Sequence, residues 1–145
     1  KMPDAWDDQP IEVVEEAFAA QQNKPRVEWW DGLAGAEPMQ AFHDRVANGI
    51  DSTLTDWGVE PLGENLWRVD PDAPRRVVAV AHGGTNSTVI AHLLGVEKEP
   101  WDWHRFAMGH ASVAVLRTQR IAGAAIWSLT ALGDVAHIDP GDRTA

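Results

Sequence analysis

Apolar positions recur along this chain with two different periods, and they divide it into helices and strands. Ile11, Val14, Ala17 and Phe18 repeat at helical spacing after Asp8 and Pro10, with Pro10 suited to the first helical position, until Asn23-Lys24-Pro25 stops the run. Glu12, Glu15 and Glu16 lie mostly off that stripe and read as its solvated face. After the link Trp29-Trp30-Asp31-Gly32, a second helix starts at Pro38 and carries Met39, Phe42, Val46, Ile50, Leu54 and Trp57, with Gly58 as its stop. Asn65–Val69 reads as a short strand and Pro71-Asp72-Ala73-Pro74 as a loop. Val77–Ala81 has no polar residue to mark a wet face, the pattern of a strand buried on both sides of a parallel sheet. Residues 86–94 form a helix with Val89, Ile90, Leu93 and Leu94 on its apolar side, stopped by Gly95. Pro100–Met108 is a Trp-rich connection. Ser112–Leu116 and Ala125–Leu129 are strands joined hairpin fashion through Arg120–Gly123, and the tail from Asp134 is polar.

The 145 residues suffice for one domain with a core, and a single domain over 1–145 is expected. At 44% hydrophobic residues and a mean hydropathy of -0.29 the chain reads as globular, with no apolar run near the roughly 20 residues a membrane span needs. Lys1-Met2-Pro3-Asp4 does not resemble a secretory signal. The absence of cysteine removes disulfides, thiolate catalysis and Cys-based metal sites, and indicates a cytoplasmic compartment. A net charge of -10 repels nucleic acid and anionic membranes, so neither is expected as a partner. A small anion remains compatible, because surface fields are screened within about 8 Å at physiological salt. Eight Trp and no Tyr read as core and helix-packing residues, with Trp29-Trp30 and Trp101–Trp103 as the alternative anchors of a partner surface.

Chemistry concentrates at His82-Gly83-Gly84, where the apolar strand runs into a turn and then a helix. The two glycines permit close approach of the backbone, Thr85 or Asn86 can cap the helix, and the helix N-terminus favours a phosphate or carboxylate. His82 then stands at the mouth of an anion site, with Gly83 contributing to substrate binding. Of the other histidines, His43 and His92 fall within helices, on the surface or half-buried, His110 precedes a strand, and His104 and His137 carry no context. No HExxH spacing or His/acid cluster is present, so neither a metal nor a cofactor is expected. His-Gly-Gly also occurs in the oxyanion-hole loop of lipases and esterases, but the Gly-x-Ser-x-Gly elbow that fold needs is absent, as are Walker and dinucleotide fingerprints.

Four features in this order carry a resemblance: Glu-Pro-x-x-x-Phe-x-x-Arg-Val at Glu37–Val46, Val-x-Val-x-His-Gly-Gly at the strand and turn, a helix ending in Leu-Leu-Gly, and Ala-Ser-Val-Ala-Val-Leu at Ala111–Leu116. Between about Glu37 and Leu129 the chain resembles the C-terminal half of the histidine phosphatase superfamily, the phosphoglycerate-mutase-like fold. The resemblance implies an α/β fold with a mostly parallel sheet covered by helices on both faces. It also implies a phosphatase, or alternatively a phosphomutase, acting through a phosphohistidine on a small phosphorylated metabolite, the phosphoryl group passing to water, with inorganic phosphate as product, or to a second substrate. His82 matches the family's second pocket histidine and Gly83 follows it in the pocket.

The nucleophilic histidine of the family's Arg-His-Gly motif has no counterpart in the 145 residues, and Glu37-Pro38 stands where relatives often have Glu-Ser. A fold incomplete without its first strand is therefore expected, with the chain a fragment, a processed product or one partner of an assembly. Its own N-terminal segment or a homo-oligomer would supply the missing part, and the chain alone is expected to be inactive. Asp7, Glu28 and Asp31 are acids upstream of the resemblance, and none is singled out as the general acid. The alternative reading is a non-catalytic phospho-ligand binding or protein-interaction module derived from that fold.

Overall fold

The computed structural model describes residues 8–143; 1–7, with Asp7, and 144–145 lie outside the described residues. The chain divides into two compact units, one running to Arg45 and including Glu99–Trp101, the other comprising Val46–Lys98 and the chain from Asp102 onward.

In the first unit α1 spans Ile11–Gln22, with Pro10 as its N-cap rather than its first helical residue. Glu12, Glu15 and Glu16 are exposed, while Val14, Ala17 and Phe18 are half-buried. Asn23 closes the helix, donating from Nδ2 to the Ala19 carbonyl at 2.9 Å. The short helix α2, Arg26–Trp29, is held by aromatic and ionic contacts with Glu99–Trp101. Trp29 is buried, donates from Nε1 to the Lys24 carbonyl at 3.1 Å, and meets Trp101 edge-on at 5.5 Å between centroids. The Arg26 guanidinium lies 6.0 Å from the Trp101 ring centroid and bonds Glu99 at 2.9 Å. Trp29 is thus an interior residue of this unit and not an anchor displayed to a partner.

Helix α3, Met39–Asp56, follows the predicted periodicity closely. Val46, Ala47 and Leu54 are buried along it. Gly58 ends it with φ +78°, and a Cβ there would stand 2.9 Å from the Asp70 Cβ. Only glycine meets both demands without strain.

The second unit is built on a four-stranded sheet in the order β1-β2-β4-β3: β1 Val59–Gly63, β2 Leu66–Val69, β3 Val113–Ile121 and β4 Ala124–Asp134. The pairing is antiparallel throughout, which corrects the mostly parallel sheet expected from the sequence. The physical reason is connectivity, since two-residue hairpins can join only antiparallel neighbours. Glu64 and Asn65 make one such turn with φ of 53° and 60°, and Ala122 and Gly123 the other with 50° and 75°. Two successive positive φ values match the right-handed twist of the flanking strands. Leu54, Val59, Trp67 and Leu93 form the core, flanked by Ile50, Ala73, Val89, Leu116 and Trp127. Full burial of each large apolar side chain contributes about 1.5–3 kcal/mol.

Val77–Ala81 is the second correction, because this segment belongs to no strand and is exposed along its whole length. Val78 and Val80 are 82% and 94% accessible. Its apolar pattern specifies a need for partners on both faces, and the four described strands pair among themselves without it. A parallel sheet was expected both from that segment and from the family resemblance, and the antiparallel sheet formed without it overturns both. After β4, residues 135–143 hold some order, with a 3-10 turn at Pro140–Asp142 and an Arg143 Nε bond to the Ile138 carbonyl at 3.0 Å. No helix among the described residues is long and apolar enough to cross a membrane.

Candidate functional site

Helix α4, Gly83–Leu93, begins three residues before the predicted start and takes both glycines into its first turn. His82 is its N-cap, with φ -66° and ψ 153°, so Thr85 and Asn86 lie inside the helix and cap nothing. The first intrahelical bond runs from the Asn86 amide to the His82 carbonyl at 3.0 Å. The amides of Gly83, Gly84 and Thr85 therefore have no acceptor within the helix, and the positive end of its dipole lies among them. The His82 side chain is exposed and makes no capping bond. An imidazole beside three uncommitted N–H groups is an arrangement that accepts an anion.

Glycine is a poor helix former, and the first turn of α4 holds because side chains bond its carbonyls. Ser87, 1% accessible, places Oγ 2.8 Å from both the Gly83 and the Phe106 carbonyl oxygens. Its single proton serves one of them at a time, and the pair of acceptors ties the turn to the chain after α5, Asp102–Arg105. Thr88 Oγ donates to the Gly84 carbonyl at 3.0 Å, and Asn86 Nδ2 reaches back to the Ala81 carbonyl at 3.1 Å.

The two glycines differ in what surrounds them. A Cβ on Gly83 would meet only the Met108 carbonyl at 3.9 Å, so this position is open to a ligand. A Cβ on Gly84 would stand 3.2 Å from Cε3 of Trp103, so Gly84 admits an indole and not a ligand. The sequence reading assigned close approach of a ligand to both residues. It missed Trp103 and Ser87 as parts of the site; the signals available were a hydroxyl four residues after the first glycine and a Trp-rich segment following the helix.

The other end of α4 is closed. Leu94 is the C-cap, Gly95 follows at φ +66°, and the Gly95 and Val96 amides bond the His92 and Ala91 carbonyls, each at 3.0 Å. These paired bonds satisfy two of the helix's last carbonyls. His92 is half-buried, with Nε2 at 2.7 Å from Asp51 Oδ1 and its ring edge-on to Trp67 at 6.4 Å. His43 is more deeply placed than expected, at 2% accessible between the rings of Trp30 and Phe42. His110 sits exposed in the turn before β3. Glu28 and Asp31, in the first unit, are exposed.

Glu37 makes a bidentate pair with Arg45, at 2.9 Å to Nε and 2.7 Å to Nη2. The hydrogen bonds from Arg45 hold the Glu37 carboxyl below the usual glutamate range, and the same contact raises the guanidinium. A surface cavity of about 360 Å³ is lined by Asp56, Trp57, Asp70, Asp72 and Pro74, not by His82. Three carboxylates make it a poor seat for a phosphate, so the chemistry is assigned to the α4 N-terminus despite the cavity's size.

No curated protein and no solved structure matches the chain. The family model of the histidine phosphatase superfamily (branch 1) matches residues 4–127, which carries the likeness upstream of Glu37 through the region of α1 and α2. With a match over well more than half its length, the chain belongs to the histidine phosphatase superfamily.

Proposed function

We propose that this chain is part of a phosphomonoester hydrolase that acts on a small phosphorylated metabolite through a phosphohistidine, and that it supplies the second pocket histidine, His82, but not the nucleophile. The observation that carries the reading is His82 as exposed N-cap of α4 beside three free amides, with Gly83 open to solvent. In the transfer step a nucleophilic imidazole nitrogen forms a P–N bond as the ester P–O bond breaks. The leaving alkoxide takes a proton from an acid; water, giving a proton back to that acid's conjugate base, then attacks phosphorus and breaks the P–N bond, freeing the imidazole and inorganic phosphate. His82 and the amides act on the three equatorial oxygens, donating where negative charge spreads in the transition state. The chain needs no cofactor for this role.

The nucleophile is assigned to residues outside these 145, which contain no Arg-His-Gly. In the family the strand that carries it lies beside the strand that ends at the second histidine, and Val77–Ala81, apolar and unpaired, supports that placement. The partner is thus an N-terminal segment of the same protein, or of a second copy. The test compares the 145-residue chain with the full-length gene product on an aryl phosphate. Turnover is expected only from the latter, and robust turnover by the 145 residues alone overturns the division of roles.

A further inference from the structure

We propose that Trp103 determines specificity, forming the wall against which the alcohol portion of the substrate packs, so that the preferred substrates are phosphate esters of flat, aromatic alcohols. The inference rests on the anion site proposed at His82 and extends it from the phosphoryl group to the group it leaves behind. The benzo edge of Trp103 is in contact distance of Gly84, with Cε3 and Cζ3 at 3.2 and 4.0 Å from where a Cβ would be. Gly84 directly follows Gly83, where a Cβ would meet only the Met108 carbonyl at 3.9 Å.

The backbone on both sides of Trp103 is tied into the fold. Asp102, which precedes it, is 1% accessible, with Oδ1 3.7 Å from Arg105 Nη1, and Ser87 links the Phe106 carbonyl to α4. Trp29 and Trp67 are enclosed, at 8% and 4% accessible, while Trp57 is as open as Trp103 but stands beside the carboxylates Asp56, Asp70 and Asp72 rather than beside an anion site. Trp103 keeps 37% of its surface open although its edge is fixed against the turn. A rigid, half-open π-surface one residue from an anion site suits a flat apolar group attached to the anion, and offers less to a short aliphatic chain.

The experiment is calorimetric titration of the 145-residue chain with phenyl phosphate and methyl phosphate, repeated for Trp103→Ala, Trp103→Leu and His82→Ala. Phenyl phosphate is expected to bind roughly three- to tenfold more tightly than methyl phosphate. Trp103→Ala brings that ratio below about twofold while methyl phosphate affinity changes little. Trp103→Leu keeps an apolar contact on Gly84 and decides the matter if the alanine variant unfolds, the ratio again falling below about twofold. His82→Ala weakens both ligands alike and preserves the ratio. An equal affinity of the wild-type chain for both esters, or a ratio that survives in Trp103→Leu, overturns the inference and leaves the His82 site standing. Binding that is absent, or indifferent to His82→Ala, overturns the anion site and the inference with it.

Discussion

The two ends of α4 each carry a histidine, and the helix treats them in opposite ways. His82 at the N-terminus is exposed, with free amides beside it and an open glycine next in the chain. His92 in the last turn is bonded to Asp51 at 2.7 Å, edge-on to Trp67, and followed by a cap whose amides bond the His92 and Ala91 carbonyls. Local sequence marks only His82, by the Gly83-Gly84 that follows it, and does not show what either imidazole bonds. What separates them is the supply of partners from elsewhere in the unit. Polar groups that fold against a partner are spent on structure, and those left open at a positive helix end are available to a ligand.

The comparison breaks most visibly if the two histidines are removed one at a time. In the full-length enzyme proposed above, His82→Ala is expected to lower kcat by two to three orders of magnitude, about 3–4 kcal/mol of transition-state stabilisation, with an unchanged thermal midpoint. Steady-state kinetics beside a melting curve checks this, and a change under about threefold removes His82 from the site. His92→Ala is expected to do the reverse, costing about 1–2 kcal/mol of stability from loss of the Asp51 bond and the Trp67 contact, with kcat within about twofold. Urea denaturation measures it, and Asp51→Ala should cost a similar amount without adding to it, because the two residues share one bond.

A smaller effect sharpens the contrast between groups held and groups open. The Glu37–Arg45 pair is exposed on the arginine side, so Arg45→Ala is expected to cost only about 0.2–1 kcal/mol. The Glu37 pKa is lowered in the folded chain, so the pair's contribution is fully present above the ordinary glutamate pKa of about 4.3. It is lost as pH falls through the lower folded value. Denaturation midpoints of wild type and Arg45→Ala should therefore differ at pH 7, and the difference should shrink as pH falls below about 4.3.

Much of this architecture is legible in sequence wherever local chemistry decides. The apolar repeat of α3 and its stop at Gly58, the Schellman-like end of α4 at Gly95, and the β3–β4 hairpin all follow from periodicity and turn residues. Strand β1 is missed because Pro61 breaks the pattern and the Glu64-Asn65 turn has no glycine in its two central positions. Val77–Ala81 is misread because strand formation needs a neighbour as well as a propensity. Within the proposed site, His82 and Gly83 are suggested by the turn they make. Ser87 and Trp103 act through contacts 19 residues apart or between separate helices, which periodicity does not encode.

The central claim is that His82 and the first amides of α4 form one anion site. It is tested most directly by titrating the chain with inorganic phosphate and following backbone amide and imidazole signals by NMR. Saturable shifts concentrated at Gly83, Gly84, Thr85 and the His82 ring, abolished in His82→Ala, are the predicted result. Shifts centred elsewhere, or none up to tens of millimolar phosphate, a range at which only Kd values weaker than about 100 mM escape notice, contradict it.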